Sequence, residues 1–319
     1  VNSSFQFIPS TQEEIQAITN RRDGEQKLGE TLSIQTVNAD TKVILLGIEE
    51  SIGPQANAGL SGAENAFSAF LKRFVNMQNN SFQRGKDITY IGRVQQRAQF
   101  ESVEQARLLT SELDELVCSI LHPYANEKYK LLIIGGGHNN AYPILKALSN
   151  EGKSPLDVIN LDPHADCRQE EGRHSGNSFS CAYDHGYLNI YSVVGLHKAY
   201  NSSFLFEKLE QMHARTTFFE DYLLNETDFK RDIAHEKKLL SNTQHGIELD
   251  LDAIQNIASS AYTPSGISTA AARWFVRTLN QGSTRYLHLT ESAPTTAEDE
   301  KTVGKLLAYL ASDFIQTCN

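Results

Sequence analysis

Short apolar runs alternate along the chain with longer stretches whose apolar residues recur at three- and four-residue steps. The first pattern reads as buried strand and the second as amphipathic helix. Strands are predicted at Lys42–Ile48, Ile88–Gly92, Lys130–Ile134, Val158–Leu161, Ile190–Gly195, Gly246–Leu251 and Arg285–Leu289. Between them, Ser102–Leu121 carries Ala106, Leu109, Leu113, Leu116 and Ile120 at helical steps. A second helix is predicted over Ser268–Leu279 with Ser268 as its N-cap, and a last one over about Ala297–Ile315. Strand alternating with helix predicts an α/β fold, a mostly parallel sheet covered by helices. Glycines concentrate just after the strands, and in such sheets ligands bind beyond the carboxyl ends of the strands.

No linker or repeat interrupts the 319 residues, so one catalytic domain over 1–319 is expected, with 1–40 as an N-terminal extension. A net charge of −10 leaves no basic stripe to offset a phosphate backbone, which argues against nucleic acid as a partner. The first thirty residues lack the apolar core of a signal peptide, and no later run is long enough to span a membrane. A cytoplasmic protein is the expectation. Cys118, Cys167, Cys181 and Cys318 form no CxxC pair and are read as reduced and structural.

Three segments carry the chemistry. In Asp162-Pro163-His164-Ala165-Asp166, side chains at i, i+2 and i+4 of an extended chain share one face, so three possible metal ligands converge. Cys167 falls on the opposite parity and is excluded. In Glu248-Leu249-Asp250-Leu251-Asp252 the same alternation places three carboxylates together, an arrangement that needs solvent or cations to offset its repulsion. His138 ends the glycine run 135–137, which allows close approach of backbone to a site.

Each segment alone has an ordinary explanation as a loop, a turn or a solvated strand end. Together, His138, Asp162, His164, Asp166, Asp250 and Asp252 offer two imidazoles and four carboxylates, enough to neutralise two divalent cations. The absence of thiolates favours a harder ion such as manganese over structural zinc. Water held between two such ions ionises near neutral pH and can act as a nucleophile.

At these residues the chain resembles the ureohydrolase family, which includes arginase, agmatinase, guanidinobutyrase and formimidoylglutamase. GGGH at 135–138, DPHAD at 162–166 and ELDLD at 248–252 match its signatures, with Glu248 where the family usually has Ser. Ser175-Gly176-Asn177 matches its substrate loop and Thr290-Glu291 its final TE pair, while residues 57–63 resemble an early turn in which Leu60 replaces the usual Arg.

The resemblance implies a three-layer α/β/α arginase-like fold with a mostly parallel sheet of about eight strands, and two Mn2+ ions per chain. One ion would take His138, Asp162, Asp166 and Asp250, the other His164, Asp162, Asp250 and Asp252. It further implies that Asp166 moves a proton to the leaving amine and that Glu291 holds the amidinium or guanidinium carbon over the metals. Trimers or hexamers are implied by analogy alone.

Departures select the branch. Phe179 stands where arginases have a histidine, and Arg168 and Arg173 add charge around the loop. Arginine forks suit carboxylates, so Arg168 and Arg173 are expected to bind substrate; the resemblance to the substrate loop implies the same of Ser175 and Asn177, with His174 just ahead of them. The pattern DPHADxRxxEGRHSGN resembles formimidoylglutamase-like members. The expected reaction is hydrolysis of N-formimidoyl-L-glutamate to L-glutamate and formamide, the closing step of one histidine degradation route. A guanidino hydrolase releasing urea and a non-catalytic binding protein are the rivals.

Overall fold

Apolar runs with little polar interruption form the centre of one twisted sheet in the computed structural model, which describes residues 4–150 and 152–316. In chain order the strands are β1 (Phe5–Pro9), β2 (Ser33–Ile34), β3 (Val43–Glu49), β4 (Ile88–Gln96) and β5 (Lys130–Ile134), then β6 (Leu156–Leu161), β7 (Leu188–Leu196), β8 (Arg215–Phe218), β9 (His245–Asp250) and β10 (Thr284–Thr290). Their spatial order is β1-β4-β3-β5-β10-β9-β6-β7-β8, with β2 paired to β4. The run from β4 to β8 holds eight strands, all parallel, and only β1 pairs antiparallel among the described residues. This is the three-layer arrangement expected from the sequence.

The seven anticipated strands are present within a few residues. β1, β2 and β8 were not anticipated. They lie at the sheet edges, where the short half-buried segments FQFIP, SI and RTTF give no sustained periodicity. Residues expected as an N-terminal extension therefore contribute two of the edge strands.

Alternate side chains feed two cores, one on each face of the sheet. Leu132, Ile134, Ile159, Leu161, Ile247, Leu249, Leu287 and Leu289 pack under helices 66–74, 269–279 and 297–316. Leu131, Ile133, Val158, Val193 and Tyr286 face helices 103–121, 141–148 and 178–184. Ser268 caps helix 269–279 by accepting from Ala271 N–H at 3.1 Å. Helix 103–121 differs from expectation in its angular setting. Its buried stripe is Ala106, Thr110, Leu113, Asp114, Val117, Cys118 and Leu121, with Leu109, Leu116 and Ile120 at the margin. The rotation brings Asp114 inside.

Cys167 and Cys181 are free and buried, and Cys118 is buried on helix 103–121; Cys318 lies outside the described residues. No helix among the described residues is long and apolar enough to cross a membrane.

Candidate metal centre

Four neighbouring strands, β5, β10, β9 and β6, run parallel at the middle of the sheet, so their carboxyl ends open on one crevice. GGGH follows β5, the TE pair closes β10, Asp250 ends β9, and Asp162 follows β6. Segments more than a hundred residues apart meet there because strand order, not chain order, sets neighbourhood.

His138 Nδ1 lies 2.9 Å from Asp166 Oδ2 and 3.2 Å from an oxygen of both Asp162 and Asp250. One ligand atom from each of these four residues falls within 4.8 Å of the others. His164 stands beside them, its Nδ1 3.5 Å from Asp162 Oδ1 and 3.8 Å from Asp252 Oδ2. Asp162 thus faces both histidines. All six residues named from the sequence come together.

The local geometry is less simple than strict alternation. β6 ends at Leu161, and Asp166 reaches the cluster through a left-handed backbone conformation, φ +47°. Asp252 sits in a short turn after β9, where Asp250 Oδ1 accepts its N–H at 2.7 Å. Glu291 is left-handed too, at φ +60°. Non-glycine residues adopt this conformation rarely and at a cost of order 1–3 kcal/mol, and such strain concentrates at functional sites.

The glycines before His138 allow an interlocked wall. Gly136 is at φ +74°, and its carbonyl accepts from Glu291 N–H at 3.0 Å and from the Thr290 hydroxyl at 2.8 Å. Glu291 Oε1 in turn accepts from His138 N–H at 2.6 Å. Its Oε2 is buried with no hydrogen-bond partner among the described residues.

The electrostatics of the cluster suit a cation. Burial, followed by repulsion from Asp252 and Asp162, pushes Asp250 well above the ordinary carboxylate range. Burial also raises Asp166 and Asp252. Burial and then Asp252 push Glu291 up to about 8. Burial alone would raise Asp162, but His138 and His164 hold it low. So many carboxyl groups in one dry cluster stay ionised only beside positive charge. The donors are oxygen and imidazole nitrogen without thiolate, and the residues fit a hard divalent ion.

A cavity of about 200 Å3 opens over the cluster, lined by His164, Asp166, Arg168, Ser175, Tyr200 and Glu291 among others. Arg168 and Ser175 therefore stand at the cavity lining. Arg173 does not. It is 6% exposed, and its Nε donates to Asp114 Oδ2 at 2.8 Å, while its other nitrogens reach Asn177 Oδ1 and the Asn139 carbonyl. Its guanidinium also covers the Tyr142 ring at 4.4 Å. Its donors are committed inward, toward the loop and helix 103–121, and it does not line the cavity.

His174 and Asn177 also turn inward, off the cavity lining. His174 Nδ1 accepts from Gly176 N–H at 3.1 Å, and Asn177 Nδ2 donates to the carbonyls of Gln169 and Gly172. Both are buried organisers of the loop. Phe179 lies behind the centre, edge-on to His138 at 5.1 Å and stacked on Tyr191 at 4.4 Å.

Sequence reasoning missed several supports. Asn201 Oδ1 accepts from Ala165 N–H at 2.9 Å, Tyr200 stacks on His164 at 5.5 Å, and Ala261 N–H reaches Asp252 Oδ1 at 2.9 Å. Tyr200 and Asn201 follow the carboxyl end of β7, a position that could have flagged them.

The Arginase family matches residues 41–316. A Macrococcus caseolyticus protein named Formimidoylglutamase is 28% identical over 213 residues, 62% of this chain and 66% of that one. A Staphylococcus epidermidis protein of the same name is 22% identical over 295 residues, 89% of each. Among solved structures, formimidoylglutamase from Bacillus subtilis aligns at a TM-score of 0.74 and 17% identity, covering 94% of both chains. Trypanosoma cruzi formiminoglutamase with Mn2+ aligns at 0.71 and 17%, covering 92% of this chain and 98% of that one. Proclavaminate amidino hydrolase from Streptomyces clavuligerus aligns at 0.70 and 14%, covering 93% and 98%. At such identities the structural likeness establishes the fold.

Proposed function

The chain belongs to the arginase family, and on that premise we propose that it is a metal-dependent hydrolase cleaving the amidine C–N bond of N-formimidoyl-L-glutamate. Water adds to the amidine carbon, the bond to the glutamate nitrogen breaks, and L-glutamate and formamide leave. The reaction would close one route of histidine degradation. The observation that carries the reading is the buried His138, Asp162, Asp166 and Asp250 cluster, in a chain whose curated relatives bear the name Formimidoylglutamase.

His138, Asp162, Asp166 and Asp250 would hold one Mn2+, and His164, Asp162, Asp250 and Asp252 a second. Bound there, the ions would supply Lewis acidity and activate water. Asp166, strained and beside His138, is placed to carry a proton from the attacking water to the departing amine. Glu291 lines the cavity and keeps one carboxylate oxygen, Oε2, without a partner among the described residues, an acceptor that an amidinium N–H would satisfy. Arg168, with its side chain 54% exposed at the rim, offers a fork to a substrate carboxylate. Ser175 lines the same wall, while Arg173, His174 and Asn177 fix the loop that presents it.

A guanidino hydrolase is the second reading, favoured by the structural likeness to proclavaminate amidino hydrolase. Product analysis separates the two. Manganese-loaded protein should release formamide from formimidoylglutamate and little urea from arginine, agmatine or guanidino acids. Urea as the main product would overturn the leading proposal. No turnover on either substrate class, with metal bound, would indicate a binding protein.

A further inference from the structure

Glu248 stands on the ligand face of β9, two residues before Asp250 and so one pleat deeper in the sheet. It pairs across to His288 on β10 and Asn160 on β6, which makes a polar row beneath the ligands. All three residues are fully buried. Asn160 Nδ2 donates to Asp162 Oδ2 at 2.9 Å, so one member of the row already steadies a ligand from below.

The Glu248 carboxylate is firmly held. Its Oε1 accepts from the Tyr286 hydroxyl at 2.8 Å, and its Oε2 lies 2.7 Å from His288 Nδ1. The same Oε2 lies 3.5 Å from Nε2 of His138, the ring nitrogen that points away from the cluster. That Nε2 is buried and has no hydrogen-bond partner among the described residues, and Glu248 Oε2 is the carboxylate oxygen that approaches it. A neutral imidazole that binds a cation through Nδ1 carries its proton on Nε2, and that proton needs an acceptor. Partners of this kind fix ring orientation and strengthen the ligand.

We propose that Glu248 is a positioning residue for the metal centre: it accepts the Nε2–H of His138 and fixes the tautomer and ring plane that turn Nδ1 toward a divalent cation. The inference rests on the two-ion reading of the site. It is asymmetric by construction, because Glu248 touches His138 and not His164. An anion suits the position, since three donors converge on its two oxygens.

The test is a Mn2+ titration of the full metal-free chain, read by electron paramagnetic resonance of the free ion. Wild type should take up two ions. Glu248→Gln keeps the volume and one acceptor oxygen but loses the charge, and should weaken one binding step by about 10–100-fold while leaving the other within about threefold. Activity should recover when Mn2+ is raised by the same factor, with KM unchanged. Tyr286→Phe frees one oxygen of the carboxylate and should weaken the same step by less, which keeps the test intact if Glu248→Gln folds poorly. Folded Glu248→Gln with both steps as in wild type would overturn the inference, as would equal weakening of both, the mark of a general packing role. Wild type that takes up no Mn2+ would instead remove the metal-centre reading itself.

Discussion

Replacing Asp114 with Asn isolates the question of what Arg173 is for. Asp114 is 2% exposed, its Oδ2 accepts from Arg173 Nε at 2.8 Å, and its Oδ1 has no partner among the described residues. Asparagine preserves shape and an acceptor but leaves a buried guanidinium without its counter-charge. Removing one member of a buried ion pair destabilises by roughly 3–5 kcal/mol. The remaining contacts of Arg173 with Asn177, the Asn139 carbonyl and the Tyr142 ring place the expectation near the lower end, about 3 kcal/mol. Unfolding entropy of about 2.1 cal/mol/K per residue gives about 0.7 kcal/mol/K for a chain of this length, so Tm should fall by roughly 4–5 °C. Calorimetry of the metal-loaded variant measures this, and steady-state kinetics on the same sample should show KM essentially unchanged. An unchanged Tm together with a tenfold rise in KM for a dicarboxylate substrate would refute the anchor role and return Arg173 to the substrate.

Two further outcomes are expected. Burial, then the charges of Arg107, Arg168 and Arg173, push His174 down to about 3. Above pH 6.5 both folded and unfolded imidazoles are neutral. As pH falls from 6.5 toward 3 the unfolded chain gains a proton the folded one refuses, so stability drops by up to about 1.4 kcal/mol per pH unit. His174→Asn should flatten that slope in urea midpoints measured between pH 6.5 and 4, and parallel slopes would count against the shift. At Gly47 a Cβ would meet three ring atoms of Phe67 at 2.3–2.4 Å, and overpacking of this kind destabilises by about 1–3 kcal/mol. Gly47→Ala should melt lower, with partial rescue by Phe67→Leu; an unchanged melting curve would contradict the packing.

The candidate ligands were legible because they cluster at or just after strand ends with leucines or inert residues between most of the donors, although Asp166 and Asp252 reach the cluster through turns and not through strand parity. Asp162, Asp250 and His138 needed only strand prediction and the rule that ligands gather at carboxyl ends. The inward turn of Arg173 was not legible, because sequence says nothing of which way a loop arginine turns and its partner Asp114 sits 59 residues earlier. Asp114 itself was hidden by a plausible leucine stripe one setting away from the real one. Glu248 was visible as a third carboxylate on the right face. Its partners His288 and Tyr286 come from β10, whose place beside β9 is a matter of topology. The edge strands were missed because a half-exposed segment of two to five residues carries too little periodicity to identify.

The alternation of leucine and carboxylate along β9 has a bearing on how the chain avoids misfolding. Were β9 to slip by one residue against β6 and β10, Leu249 or Leu251 would take the place of Asp250, and the acids would enter the apolar layer on the other side. A slipped chain forfeits core burial and cation affinity at the same stroke. Any ion bound at this centre therefore selects the correct frame by mass action, and the site acts as an inspector of its own assembly.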